Sequence, residues 1–191
     1  MSILPASKSP DTGATAALKL ADALTAGGLD IWNPAWVGTD YLKITNAPGA
    51  LSELTISDAG LVTWEFRPFH GSPVDTREIA RRAPALLGAS PAEISSDPTP
   101  RPSRVALKDD IAQRLRACGL DVSVHALNVD ASGPYCEITA TNPAMPTRGR
   151  IQLAEDGMIR WECRVQENDR AQGAKLADIA LTISAAVAAG I

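Results

Sequence analysis

The stretch GLVTWEFR at residues 60–67 returns almost unchanged as GMIRWECR at residues 157–164. Glycine, tryptophan, glutamate and arginine keep their places in both copies, and apolar residues alternate with polar ones between them. Such alternation is typical of a half-buried β-strand, and the leading glycine is typical of a hairpin turn. The repetition predicts either two related active sites or two copies of one folding unit.

The sequence around these strands favours two copies of one unit. LADALTAGGLDI at residues 20–31 matches IAQRLRACGLDV at 111–122, and YLKIT at 41–45 matches YCEIT at 135–139, in the same order. Matching blocks in one order are the signature of an internal repeat. We therefore predict a first repeat over residues 12–89 and a second over 104–191. Residues 90–103 contain four prolines and form the predicted stiff linker between them.

Each repeat has the pattern α-β-β-β-β-α. An amphipathic helix ends at glycine, four strands follow with a hairpin between the last two, and a second helix closes the unit. This order predicts an α+β fold with two antiparallel sheets, each covered by helices on one face, and the two repeats forming a pseudo-dimer. The last helix, from about residue 169 to 189, is apolar on most sides, so we expect it to pack against the other repeat or to form a homodimer.

Charge and cysteine content exclude several classes of protein. The net charge is −4 and the pI is near 5.2, whereas nucleic-acid-binding proteins usually carry a basic footprint. Three cysteines without C-x-x-C spacing predict neither a disulfide framework nor a zinc site. The N-terminus lacks the apolar core of a signal peptide, and no apolar run is long enough to span a membrane. We expect a cytoplasmic protein that binds neither nucleic acid nor membrane.

The repeated tryptophans fall on the apolar side of their strands. Side chains alternate between the two faces of a strand, so Trp64 points the same way as Val62 and Phe66. Trp161 likewise points the same way as Ile159. These tryptophans could stack a ligand, but an apolar strand face under helices is more often protein core, and we predict that role.

The opposite strand face becomes basic in the second repeat. The predicted partner-binding residues are Tyr135, Arg148, Arg150, Arg160 and Arg164. Arginine and tyrosine are enriched in protein interfaces. The alternative is a solvated face on which arginines form cross-strand ion pairs with glutamates, and such pairing also makes Glu65 and Glu162 poor general acids.

Motifs of the common enzyme classes are absent from the sequence. It contains no phosphate-binding glycine loop, no G-x-S-x-G and no H-E-x-x-H, and its two histidines have no metal-ligand spacing. No cofactor, metal site or catalytic residue is predicted, and enzymatic activity is the less favoured alternative. That alternative is a small-molecule-binding protein or enzyme with a pocket between the repeats near Trp32, Trp36 and His70. IWNPAW at residues 31–36 has no aromatic counterpart at 122–127.

The order of helix, antiparallel strands and helix in a small acidic two-lobed chain resembles the type III secretion chaperone-like folds. The resemblance implies a dimer that binds segments of partner proteins or acts as a regulatory module. This chain departs from that pattern by a fourth strand per unit and by carrying both lobes in one polypeptide. The saddle of TATA-box-binding proteins has a similar repeat, but its DNA-binding face is strongly basic. The leading hypothesis is a non-enzymatic, chaperone-like protein-interaction module.

Overall fold

The structure is a computed structural model that describes residues 12–32, 41–45, 52–57, 60–67, 76–90, 104–127, 135–154, 158–165 and 172–190. Within them lie four α-helices and eight β-strands. The helices are α1 (Thr12–Ala26), α2 (Thr76–Arg82), α3 (Arg104–Ala117) and α4 (Gln172–Ala188). The strands are β1 (Ile31–Trp32), β2 (Tyr41–Ile44), β3 (Ser52–Ile56), β4 (Leu61–Phe66), β5 (Asp121–Leu127), β6 (Tyr135–Thr141), β7 (Arg150–Ala154) and β8 (Ile159–Arg164). The predicted linker lies outside the described residues except for Ser90.

All eight strands belong to one antiparallel sheet. Their order is β1-β2-β3-β4-β8-β7-β6-β5, so the strands of the two predicted repeats meet at the pairing of β4 with β8. In that central pair Trp64 lies directly opposite Trp161. The α+β class is confirmed, but the prediction of two separate sheets is wrong. The reason is that β4 and β8 each leave one edge free in their own hairpin, and the two edges complete each other's hydrogen bonding.

The helices and one face of the sheet enclose a single hydrophobic core. Alternate residues of the strands point into it, as the period of two requires. Helix α1 packs against α4, and α2 packs against α3. Each of these contacts joins a helix of the first predicted repeat to one of the second. Of the two expectations for the last helix, packing against the other repeat is therefore what the structure shows.

Pro84 changes the end of the second helix in the way its chemistry requires. Helix α2 stops at Arg82, and residues Ala83–Leu87 continue as a 3₁₀ helix with the proline in its first turn. Proline lacks the N–H that an α-helix interior needs, but the first turn of a helix does not use that donor. Gly88 ends the segment in the left-handed conformation, with φ of 68°. This 3₁₀ helix contacts α4.

One sequence match does not correspond to a structural match. Tyr41 lies opposite Thr55 on β3. At the equivalent place in the other hairpin, Thr139 lies opposite Gln152 on β7. The position of Tyr41 in the sheet is therefore matched by Thr139 and not by Tyr135, although the sequence aligns the two tyrosines. The hairpins β3–β4 and β7–β8 agree in register, whereas the strands beside them have slipped.

Candidate functional site

The sheet has a second face that points away from the helices, which we call the outer face. It consists of the strand residues that alternate with the core residues, and these are mostly polar and partly or fully exposed. One cross-strand row of this face runs over all eight strands. In order its members are Trp32, Lys43, Glu53, Glu65, Arg160, Gln152, Thr139 and Ser123.

An ion pair crosses the centre of the sheet in this row. Nε of Arg160 on β8 donates to Oε1 of Glu65 on β4 at 2.6 Å. The two residues lie directly opposite each other in the β4–β8 pairing. About half of the Arg160 side chain remains exposed. A single pair of this kind stabilises a protein by about 0.2–1 kcal/mol, so its placement matters more than its contribution to stability.

A second ion pair lies beside the first. Nε of Arg150 on β7 donates to Oε2 of Glu162 at 2.7 Å, and these residues are also direct cross-strand neighbours. Arg164 is exposed on the same face, and among the described residues no carboxylate forms an ion pair with it. Tyr135 is the first residue of β6 and pairs with Leu127, but its side chain lies outside the described part. The outer face thus carries Arg150, Arg160 and Arg164 as predicted.

Arg148 lies elsewhere, which corrects its predicted place on the outer face. It sits in a 3₁₀ turn, Pro146–Arg148, that precedes β7. Its Nη1 donates to Oγ1 of Thr182 on α4 at 2.8 Å, and its Nη2 lies 3.8 Å from a carboxylate oxygen of Asp178. The strand period does not apply to a residue in a turn, and the side chain reaches the helix layer instead.

Of the residues predicted to line a pocket, Trp32 is the one that the structure describes. Trp32 is 52% exposed and lies on the outer face, in the same cross-strand row as Arg160. Trp36 and His70 lie outside the described residues. Trp32 and Arg160, which the sequence pattern assigns to two different predicted sites, lie on one surface of the fold. An aromatic residue at an outward position of an edge strand was the signal that could have shown this.

A cavity does lie between the two halves of the chain, at another place. It has a volume of about 330 Å³ and opens between the 3₁₀ helix Ala83–Leu87 and α4. Alanines and leucines form most of its wall, with Arg148, Asp178 and Thr182 as the polar groups. Leu181 at its rim is 70% exposed.

The two repeated tryptophans are core residues, as predicted. Trp64 and Trp161 are almost completely buried beneath the helices. The indole N–H of Trp64 donates to Oγ of Ser52 at 2.9 Å, and the Trp64 ring stacks on Phe66 with centroids 4.0 Å apart. Cys163 is also buried, and burial raises the pKa of its thiol. A buried protonated thiol is a poor nucleophile.

Glu78 and Tyr41, which both lie outside the core, have shifted pKa values. The Arg81 guanidinium, with a further contribution from Arg82, lowers the pKa of Glu78 to about 2. Burial, together with the Glu53 carboxylate, raises the pKa of Tyr41 on the outer face. Burial, ion pairing and hydrogen bonding within the surface explain the two shifts, so neither requires a catalytic role.

Within the residues that the structure describes, no three histidine, cysteine or carboxylate side chains come together as metal ligands. The helices in that part of the chain are also too short or too polar to cross a lipid bilayer. In comparisons with known proteins, no family model, no curated protein and no solved structure matches the chain. The site therefore has to be interpreted from its own geometry.

Proposed function

We propose that the chain is a tandem repeat whose halves form a pseudo-dimer, and that it is a non-enzymatic, chaperone-like or regulatory protein-interaction module. Support for the repeat comes from the centre of the sheet, where Trp64 faces the tryptophan of the matching segment. The equal registers of the two hairpins and the packing of α1 on α4 and α2 on α3 also favour it. Such an arrangement would give a single chain the kind of continuous surface that a homodimer forms from two chains.

The outer face is the proposed binding surface, and one observation carries this proposal. A sheet of eight strands presents Trp32, two arginine–glutamate pairs and Arg164 on a face that none of the described helices covers. Tryptophan and arginine dominate the binding energy of many protein interfaces. A partner segment that carries carboxylates would pair with Arg164 and exchange ion pairs with Arg150 and Arg160.

The acidic net charge disfavours nucleic acid as the partner, and we propose that the module works in the cytoplasm on another protein. A homodimer through α4 is the alternative mode of self-association to the sheet-edge dimer proposed below. Leu181 on that helix is a large apolar side chain that is 70% exposed, and it would be covered in such a dimer.

The test reverses the charge pattern of the outer face without removing an ion pair. The double variant Glu65→Arg/Arg160→Glu keeps opposite charges opposite each other across β4 and β8, so the fold and net charge should persist. The matched control is Lys19→Asp/Asp22→Lys, which exchanges two exposed charges on α1 in the helix layer. Both variants and the wild type are tagged and used to capture partners from a lysate of the native host, with identification by mass spectrometry.

We expect the outer-face variant to lose partners that both the wild type and the α1 control retain, with melting temperatures within about 3 °C of each other. If the outer-face exchange leaves capture unchanged, the outer face is not the binding surface. If wild-type protein captures nothing above an untagged control, the interaction hypothesis itself is wrong.

The cavity between the 3₁₀ helix and α4 supports a second candidate function, the binding of a small molecule. Arg148 would bind a carboxylate, and the alanine and leucine wall would hold an apolar body of modest size. The variant Arg148→Met keeps the length of the side chain but removes its charge. Binding is measured as thermal stabilisation by a panel of small apolar carboxylates. Stabilisation of the wild type but not of Arg148→Met supports this candidate, and a panel without effect on the wild type contradicts it.

A further inference from the structure

Strand β5 lies at one edge of the sheet. Its seven residues pair with β6 along their whole length, and no other described strand lies on its far side. The guanidinium of Arg116, at the end of α3, donates to the carbonyl oxygen of Val122 at 3.1 Å. That carbonyl therefore points away from β6. Because neighbouring residues of a strand point their backbone groups to opposite sides, Val124 also presents its N–H and C=O at the open edge.

In the part of the chain that the structure describes, this edge lacks the usual protection against further strand pairing. Natural edge strands are commonly blunted by proline, lysine, a bulge or very short length. The sequence DVSVHAL contains neither proline nor lysine, and its pairing with β6 runs without a bulge. Within the described residues, the side chain that contacts the open edge by a hydrogen bond is Arg116. This contact is an exposed hydrogen bond to a long, mobile type of side chain, so a strand can replace it.

We propose that a second copy of this chain adds to β5 as an antiparallel strand, related by a twofold axis through Ser123, so that Asp121 of each copy lies opposite His125 of the other. Asp121, Ser123 and His125 are all exposed on the outer face. On the other side of the sheet, Val122 would meet Val124 of the second copy. Both valines are partly buried and pack against the edge of the core, so the pairing would extend that core.

The choice of register rests on charge complementarity. Twofold pairing of β5 with itself has to match residues that point to the same side, which leaves registers that differ by two residues. One shift from the proposed register places Ser123 opposite His125 and the other places Asp121 opposite Ser123. The register centred on Ser123 is the one in which oppositely ionisable side chains face each other twice. It also places two valine pairs in hydrogen-bonding positions, which gives roughly four backbone hydrogen bonds.

The groups around these side chains in the same copy are compatible with the pairing. His125 lies opposite Glu137 on β6, and Asp121 lies opposite Thr141. The imidazole would thus stand between Glu137 of its own copy and Asp121 of the second copy. Arg116 would leave the Val122 carbonyl and remain in solvent. This inference uses the sheet edge and does not depend on partner binding by the outer face.

The experiment is sedimentation velocity from about 1 μM to about 500 μM protein, a range that detects dissociation constants typical of weak dimers. The variants are Asp121→His, His125→Asp and the double exchange Asp121→His/His125→Asp. A fourth variant, Val124→Pro, removes an N–H that points away from β6 and therefore blocks strand addition while leaving the β5–β6 hydrogen bonds in place. The melting temperature of each variant confirms that it is folded.

We expect a reversible wild-type dimer. Each single variant places like side chains opposite each other twice and should raise the dissociation constant about tenfold or more, while the double exchange should return it to within about threefold of the wild type. Val124→Pro should be monomeric. A wild-type protein that stays monomeric over this concentration range overturns the proposal. An extended segment of some other protein would then be the strand that the edge accepts. A dimer that is insensitive to Val124→Pro forms through a different surface, and a failed rescue by the double exchange rules out the proposed register.

Discussion

Trp64 and Trp161 lie directly opposite each other at the centre of the sheet, but among the described residues only Trp64 has an acceptor for its indole N–H. That acceptor is the hydroxyl of Ser52. Nε1 of Trp161 is buried without a hydrogen-bond partner in the described structure. At the place that Ser52 occupies in the first half, the second half has Gly149, which has no side chain to offer. The two central tryptophans therefore have equal burial and unequal hydrogen bonding.

Replacing Ser52 with alanine should destabilise the protein by about 1–3 kcal/mol, because the buried indole N–H of Trp64 would lose the acceptor that the described structure gives it. The measurement is urea unfolding followed by far-UV circular dichroism. Ser123→Ala is the control, since this serine is exposed and makes no side-chain hydrogen bond that the structure records. Equal effects of the two substitutions would contradict the importance of the Ser52–Trp64 bond.

Gly149 should tolerate no side chain. It has φ of 90°, and a methyl group on it would overlap the carbonyl oxygen of Glu162 on the neighbouring strand. Gly119→Ala is the matched comparison, because Gly119 has φ of 78° but open space where the methyl group would lie. We expect Gly119→Ala to cost about 1–2 kcal/mol for its left-handed backbone and Gly149→Ala to cost several kcal/mol more. Chemical unfolding curves would disprove this expectation if the two variants were equally stable.

Glu78 should make the stability depend on pH in the acid range. Its pKa is about 2 in the folded protein, against 4.5 for the free side chain, because Arg81 and Arg82 hold the carboxylate. A lowered pKa stabilises the fold above the unfolded value, and this stabilisation is lost as pH falls from about 5 toward 2. Thermal melts of wild type and Glu78→Gln should differ at pH 7 and converge near pH 2. A difference that stays constant over this range would contradict the shifted pKa.

Arg82 should contribute more to the stability of the fold than its neighbour Arg81. Both pair with Glu78, but Nη1 of Arg82 also donates to the carbonyl oxygens of Ala189 at 2.8 Å and Gly190 at 2.7 Å. These carbonyls follow the end of α4, where backbone acceptors lack helical partners and a cation is favourable. Arg82→Gln should lower the melting temperature by several degrees more than Arg81→Gln. If the Arg81 variant melts at the same temperature or lower, the bond to the α4 terminus adds nothing.

The elements of the fold could be predicted from local sequence signals, whereas their assembly could not. The period of two around Trp64 and Trp161 predicted the correct strand faces, and α3 ends just before a glycine, Gly119, as expected. The merging of two sheets into one depends on pairing between β4 and β8. Nothing in a strand's own sequence states whether its free edge meets solvent or another strand.

The positions of the candidate site could be predicted where a residue lies on a strand, because the strand period fixes the face to which its side chain points. Arg150 and Arg160 lie on the outer face because the strand period places them there. The prediction that Arg148 lies on the outer face was wrong because this residue belongs to a turn, and the period of two applies only to strands. Trp32 was assigned to a pocket because the sequence gives no measure of how far a residue on the first strand lies from one on the eighth. That distance depends on strand order, which is a property of the whole chain.

The pairing of β4 with β8 also has a consequence for folding during synthesis. It joins residues roughly a hundred positions apart, so a large loop must close before it forms, and hairpins such as β3–β4 can form much earlier. Once the first half of the chain has emerged from the ribosome, β4 is an uncovered sheet edge until β8 emerges as well. The sequence of this edge strand is LVTWEF. Aggregation in that interval is the hazard to which this topology exposes the chain, and slow translation of the second half would lengthen it.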